Sequence, residues 1–351
     1  MVRVTSIGFP NGRIETTKAN NEMITLKDVA KRAGVSPSTV SYVLSGKKKV
    51  KEETRSKIYE AVKTLNYSPN KVARSLKTNS TNTIGVMVNN LSDMFFIDIL
   101  KAIESTAYEY KYNVILCDAV NSEEREISNL RSLLGQRIDG LIFAGTGKNK
   151  KLNLDRLGIP VVTLDRSAGS GSGSIYVDNV KGGELATEHL IQAGKLPIAL
   201  ITYSTLISTF FDRMYGYRKT LEKYGLPYNE DLVVVTDFGT YNEGYNAVRE
   251  LLKRKVEFQS LFAVNDMLAL GAMRALVEEH YKIPEDISVV GYDDIPIAKL
   301  FLPALTTVSQ PQYQIGRKAT ELLIRTINKE PIEEAEKSIV ITPELIVRET
   351  A

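Results

Sequence analysis

Between residues 84 and 290 the chain alternates short β-branched runs with longer stretches of helical periodicity, and this alternation restricts the fold more than any other feature. The runs are Ile84–Val88, Val114–Leu116, Gly140–Phe143, Pro160–Leu164, Ile198–Ile201, Leu232–Val235, Leu261–Val264 and Ser288–Val290. Helical spacing fills the gaps, as in Phe96–Tyr110, Glu123–Leu134, Val180–Ile191 and Asp266–Glu279. Strand–helix alternation predicts parallel sheets covered by helices on both faces. Eight or more such units point to two doubly wound lobes, not one very wide sheet. A (β/α)₈ barrel also fits the count, but a basic head and a hinge are foreign to it.

What precedes the alternation is different in kind. Residues 1–22 are polar and aperiodic, and read as a disordered extension or as translation from a start upstream of Met23. From Leu26 the pattern is helical: Leu26, Val29, Ala30 and Ala33 form one apolar face. Gly34 breaks the helix, and Ser36-Pro37 restarts one, with Ser36 as N-cap and Pro37 at the first helical position. That second helix buries Val40, Val43 and Leu44 and directs Pro37, Ser38 and Tyr42 the other way. A third helix, Glu52 to Leu65, turns Ile58, Val62 and Leu65 inward, and Ser68-Pro69 repeats the start signal for a short helix to Leu76. Two helices joined by a tight glycine turn describe a helix-turn-helix, whose second helix enters a DNA major groove.

Charge supports that reading. Residues 23–83 carry thirteen Lys/Arg against four Asp/Glu, a net of +9, whereas residues 84–351 sum to −7. A basic module on an acidic body is the electrostatic footprint of a nucleic-acid binder, although a solvated basic face would give the same balance. Ser38 and Tyr42 are candidates for base contacts, and Lys47, Lys48, Lys49 and Lys51 for phosphate contacts. Other chemistries have little to draw on. Cys117 is the only cysteine, and it ends an apolar run where a buried inert thiol is expected. With two histidines, His189 and His280, neither a metal site nor a Ser-His-Asp triad is expected. No apolar run approaches the ~18 residues of a membrane span. Residues 1–22 lack the apolar core of a signal peptide, so a cytoplasmic protein is expected.

The same residues carry a resemblance. Leu26-Lys-Asp-Val-Ala-Lys-Arg-Ala-Gly-Val-Ser-Pro-Ser-Thr-Val-Ser41, Glu53-Thr-Arg55, Asn66-Tyr-Ser-Pro-Asn70 and Val72-Ala-Arg-Ser-Leu76 resemble the head and hinge helix of the lactose-repressor (LacI/GalR) family. The likeness continues at Val177-Asp-Asn179, Phe262-Ala-Val-Asn-Asp266, Pro284-Glu-Asp-Ile-Ser-Val-Val-Gly-Tyr-Asp-Asp294 and Pro303-Ala-Leu-Thr-Thr-Val-Ser-Gln-Pro311, covering residues 23–350. It implies an all-α helix-turn-helix head plus an α/β two-lobed sensor of the periplasmic-binding-protein type. The expected organisation is an extension (1–22), a head (23–67), a hinge helix and linker (68–82), and an effector-binding and dimerisation domain (83–351). Its lobes are expected at 83–178 with 309–328, and 179–308 with 338–351.

By this resemblance the chain is a ligand-responsive regulator, a repressor of carbohydrate-utilisation genes, that binds a palindromic double-stranded operator as a homodimer. No cofactor, no catalytic site and no membrane partner are expected. A nucleoside, a purine or a phosphoprotein corepressor is the alternative to a sugar effector. DNA-facing candidates are Thr25, Ser36, Pro37, Ser38, Thr39, Tyr42, Lys48, Asn70, Ala73, Arg74, Leu76 and Lys77. Leu76 is implied to wedge into a central base step, and a hinge helix this short should order mainly on DNA. Effector candidates sit just after strand C-termini, where such sheets bind ligands. In the first lobe they are Asp93, Phe96, Asp118, Asn121, Asp165 and Arg166. In the second they are Arg213 at a helix start, Phe238, Asn265 or Asp266, and Asp293, with Gln310 near the crossover. Arg213 and Asp293 carry most weight, although Asp266 and Asp294 are also candidates for bracing.

Three other signals lead nowhere. Gly145-Thr-Gly147-Lys148 lacks the further glycine and the Ser/Thr of a phosphate loop. The Gly169–Ser174 alternation precedes a strand and reads as a flexible loop. Lys195-Leu196-Pro197 stands where the family places His and a basic residue after Gly194, which leaves that loop open.

Overall fold

The computed structural model describes residues 24–45, 50–67, 80–147, 152–164, 172–203 and 208–351. The chain divides into two compact units, Met1–Thr78 and Asn79–Ala351. The expected hinge helix (Ser68–Leu76), Lys47–Lys49, Asn70, Ala73, Arg74, Lys77, Asp165 and Arg166 lie outside the described residues.

The first unit holds α1 (Leu26–Ala33), α2 (Pro37–Ser45) and α3 (Glu52–Thr64). Asp28 closes the start of α1 by accepting from Thr25 N at 2.8 Å and Thr25 Oγ1 at 2.7 Å. Gly34 ends it with φ +65°, a left-handed conformation that glycine adopts without steric cost. Ser36 caps α2 as expected, accepting from Thr39 N at 3.2 Å. Val29, Ala30, Val40, Val43, Ile58, Ala61 and Tyr67 form the small core. The apolar spacing anticipated most of that core; on α3 it put Val62 and Leu65 inward, which are only partly buried, and missed Ala61 and Tyr67.

The second unit contains two six-stranded sheets. The first lobe comprises β1 (Thr83–Val88), α4 (Phe96–Glu109), β2 (Asn113–Asp118), α5 (Glu123–Gly135), β3 (Gly140–Ala144), β4 (Val161–Leu164) and β5 (Gly173–Val177). The second comprises α6 (Asn179–Gln192), β6 (Ile198–Tyr203), α7 (Ser208–Lys223), β7 (Val233–Thr236), α8 (Tyr241–Lys253), β8 (Ser260–Ala263), α9 (Asp266–Glu278), β9 (Ser288–Asp293) and β10 (Thr306–Ser309). The chain then returns to the first lobe with α10 (Gln312–Ile327) and β11 (Ser338–Ile341), and ends in the second with β12 (Glu344–Ile346).

Strand order is β11-β5-β4-β3-β1-β2 in the first sheet and β12-β10-β9-β8-β6-β7 in the second. Every pairing is parallel except β12 on β10. The central strands of each sheet are buried and mostly apolar, as a sheet covered on both faces requires.

Residues 338–341 differ from expectation. The resemblance places them in the second lobe, yet β11 pairs with β5 from Ser338↔Ser174 to Ile341↔Val177, in the first. An alternating terminal strand fits either sheet, and the open edge of β5 decides between them. Gly173 and Ser174, read as loop, already belong to β5. Lys195 ties its loop to the turn before β9: its Nζ donates to Pro284 O at 3.0 Å and to Glu285 O at 2.7 Å.

Candidate functional site

The strand C-termini of both lobes of the second unit open onto one cavity of about 190 Å³. First-lobe walls come from the turn after β1 (Asn89, Asn90, Asp93, Phe96), from Asn121 after β2 and from Thr146 after β3. Second-lobe walls come from Tyr203 at the end of β6, Phe210 and Arg213 on α7, Asp237 and Phe238 after β7, Asn265 after β8, and Asp293 at the end of β9.

Arg213 is the most constrained of these. It lies in the second turn of α7, not at the helix start, and is 3% exposed. Its Nε donates to Asn179 Oδ1 at 2.8 Å, and its Nη1 to Val264 O at 2.6 Å. The guanidinium carbon sits 3.7 Å from the ring centre of Tyr292, whose hydroxyl also donates to Asn179 Oδ1. Asp293 Oδ1 stands 3.5 Å from Arg213 Nη1 and accepts from Gln310 Nε2 at 2.6 Å.

Two dipeptides at the cavity have left-handed backbones that non-glycine residues seldom adopt: Val120-Asn121 (φ +49° and +56°) and Asp293-Asp294 (φ +113° and +54°). Each turns the chain sharply at a strand C-terminus. Strain of this kind persists where surrounding contacts over-determine it. Asn121 N donates to Asn89 O at 2.7 Å, and Gln312 Nε2 donates to Asp293 O.

Burial pushes the Asp293 carboxyl well above the usual carboxylate range; Arg213 opposes that shift, while Asp266 and Asp93 add to it. Asp93 is also raised, again by burial first, against the pull of Phe95 N–H and Arg213. One guanidinium thus faces carboxylates from both lobes.

Not every expected residue joins the cavity. Asp266 is wholly buried behind it, accepting from Thr307 Oγ1 at 2.5 Å and from Ile295 N at 2.9 Å. Burial pushes its carboxyl up to about 7. Asp118 ends β2 and accepts from Val120 N at 2.9 Å, so it braces the turn that carries Asn121. Gln310 reaches the site through Asp293. Asn89, Asn90, Thr146, Tyr203, Phe210 and Asp237 were missed, although the strand-terminus rule that found Asp93 applies to most of them. Asn179 and Tyr292 were quoted only for the resemblance; their role behind Arg213 depends on packing across the lobe.

In the first unit Pro37, Ser38 and Tyr42 are exposed on α2, opposite Val40 and Val43. Ser36 Oγ lies 2.8 Å from both Ser38 Oγ and Thr39 Oγ1, so these hydroxyls form one polar cluster at the start of the helix. Thr25 is exposed at the start of α1.

The comparisons with known proteins follow the two units. Residues 25–70 match the bacterial regulatory proteins of the lacI family, and residues 81–349 match the periplasmic binding proteins and sugar binding domain of LacI family. The chain belongs to the LacI family. As such it is a ligand-responsive, sequence-specific DNA-binding repressor.

The ribose operon repressor of Escherichia coli (strain K12) is 35% identical over 333 residues, covering 94% of this chain and 100% of that protein. The transcriptional repressor PurR of Haemophilus influenzae (strain PittEE) is 36% identical, covering 93% and 98%. Among solved structures, the Lac repressor dimer bound to operator and the anti-inducer ONPF gives a TM-score of 0.82 at 29% identity, covering 93% and 98%. The regulator CelR in complex with cellobiose gives 0.69 at 32%, covering 93% and 100%. These LacI-family relatives are transcription regulators. Among the described residues no helix is long and apolar enough to cross a membrane.

Proposed function

We propose that this repressor acts in the cytoplasm as a homodimer, carries no enzymatic activity, and controls carbohydrate-utilisation genes through a small neutral sugar bound between its lobes. The observation that carries the proposal is the cavity itself. At about 190 Å³ it falls below the ~300–1,000 Å³ of drug-sized sites, so it suits one ring in preference to two. Its walls set Phe96, Tyr203 and Phe210 beside buried polar groups from both lobes, the arrangement that a ring with apolar faces and a hydroxyl rim requires. Asn89 Oδ1 is a buried acceptor without a hydrogen-bond partner among the described residues, matched to a hydroxyl donor.

In this reading Arg213 and Asp293 are the central donor and acceptor, and Asp93, Phe96, Asn121, Asp165, Arg166, Phe238 and Asn265 surround the ligand. In the head, Ser38 and Tyr42 read bases. Lys48 meets phosphate, Thr25, Ser36, Pro37 and Thr39 support the docking, and Asn70, Ala73, Arg74, Leu76 and Lys77 follow the minor groove. A flat nucleobase is the second reading. It is favoured by Phe238, which lines the cavity yet remains 59% exposed and can stack on a ring, and by the similarity to PurR.

A thermal-shift screen of monosaccharides, disaccharides, sugar phosphates and nucleosides separates these readings. A ligand at about 100 Kd stabilises the folded state by about 2.7 kcal/mol. A rise in melting temperature with a monosaccharide alone supports the proposal, and a rise confined to nucleosides overturns it.

A further inference from the structure

We infer that Glu126 and Glu243, one in the first turns of a helix in each lobe, are positioning residues that fix the effector-contacting turns. The inference rests on the cleft being the effector site. Neither residue lines the cavity. Glu126 on α5 is 1% exposed, and its Oε2 accepts from the Thr146 backbone N at 2.6 Å. That bond helps to fix the Gly145-Thr146 turn at the end of β3. From the same face of α5, one turn further on, Asn129 Nδ2 donates to Asp118 O at 2.9 Å and fixes the end of β2. These two bonds set the cleft turns on either side of β1.

Glu243 on α8 does the equivalent work in the second lobe with more bonds. Its Oε1 accepts from Asp237 N at 2.9 Å and Phe238 N at 3.1 Å, and its Oε2 from Thr240 N at 2.9 Å and Thr240 Oγ1 at 2.8 Å. Burial opposes ionisation of Glu243, but the N–H groups of Thr240, Asp237 and Phe238 and the Thr240 hydroxyl outweigh it and hold the carboxyl below its ordinary value. The turn it gathers carries Asp237 and Phe238 at the cavity wall.

The bond counts make the two sites respond differently to one conservative change. Glu126 uses one acceptor oxygen, which a glutamine keeps. Glu243 uses both oxygens against donors, so a glutamine NH₂ must face at least one N–H. These donors are exposed, so water can replace part of a lost acceptor, but the turn loses bonds that hold it at the cavity wall.

The test compares the full-length parent with E126A, E126Q, E243A and E243Q. Amide hydrogen exchange at Thr146, Asp237 and Phe238 is measured without ligand. Calorimetric affinity is measured for D-ribose, D-xylose, D-glucose and D-galactose. E126A, E243A and E243Q are expected to weaken the best sugar about tenfold, while E126Q stays within about threefold. Thr146 exchange should accelerate in E126A alone, and Asp237 and Phe238 exchange in both Glu243 variants.

G145A guards against misfolding of E126A. Its Cβ would meet the Phe143 ring at 2.2 Å and Glu126 Oε2 at 2.7 Å, displacing the same turn with Glu126 intact; because Gly145 lines the cavity, its readout is faster Thr146 exchange, not sugar affinity. Equal sugar affinity in all glutamate variants, or E126Q as weak as E126A, overturns the inference. A parent that binds none of the sugars overturns the sugar reading instead. Exchange then decides the positioning role, and unchanged Thr146 exchange in E126A refutes it.

Discussion

Arg213 is held in place inside its own lobe by Asn179, the Val264 carbonyl and the face of Tyr292. Its guanidinium is therefore preorganised, so replacing it should remove ligand affinity without disturbing DNA binding, which uses another unit. Arg213→Ala and Asp293→Ala should each lose about 2–5 kcal/mol of effector binding, the cost of removing one partner of a desolvated charged hydrogen bond. Operator affinity without effector should stay at the parental value. Calorimetry and operator gel shifts together check both halves, and parental ligand affinity in either variant would move the site elsewhere.

Asp266 makes a second prediction at this scale. Burial raises its carboxyl from 3.8 to about 7. The folded state thus binds more protons than the unfolded chain between these values, and stability falls as pH rises through the window and levels off above it. Asp93 and Asp293 are raised too and act in the same direction. Urea unfolding of Asp266→Asn from about pH 5 to about pH 8 should show a shallower decline than the parent, because the amide keeps both neighbours bonded without titrating. Identical slopes would assign the effect to the other two carboxyls.

At the scale of elements, the close crossing of α6 and α7 positions Arg213 against Asn179. A Cβ built at Gly183 would stand 2.1 Å from the Arg213 carbonyl oxygen, so any side chain there must push the helices apart. Gly183→Ala should cost about 1–3 kcal/mol of stability, the range for overpacking. It should also weaken ligand binding, because α7 carries Arg213 with it. Denaturant unfolding with ligand titration tests the pair of effects; lost stability with parental affinity would separate packing from the site. Much of this level was legible. Periodicity located α1, the Ser36 cap, strands β1 to β4 and β6 to β9, and α4, α5, α6 and α9 to within a few residues, but gave no run for β5. The Gly183 contact was not, since a glycine inside a helical pattern carries no mark of the neighbour it admits.

At the scale of the whole molecule, the proposed switch needs an element both ends can bias, and the expected helix at residues 69–76 is too short to persist alone in water. Leu76→Ala should leave effector binding unchanged and reduce specific operator affinity sharply, because a wedge that unstacks a base step is worth a few kcal/mol. Weak electrostatic binding to random DNA should survive. Hydrogen exchange over residues 69–76, slow on operator and fast in the free protein, is the companion expectation. Protection without DNA would defeat coupled folding.

Local rules were enough for the helices of the head, eight of the strands, four helices of the lobes and the division into a helical head and two doubly wound lobes. Apolar spacing, Ser-Pro starts and alternating β-branched runs depend on neighbours a few residues apart, and they led to a helical head and a two-lobed parallel sensor. The cleft's interior depended on distant partners. Asp293 meets Gln310 and Arg213, Asp266 withdraws behind the wall to Thr307, and Glu126 reaches Thr146 from another element. The lobe of residues 338–341 was likewise settled by the free edge of β5. Side-chain identity says which bonds a residue can make, whereas burial and the geometry of chain segments far apart in sequence decide which it does make.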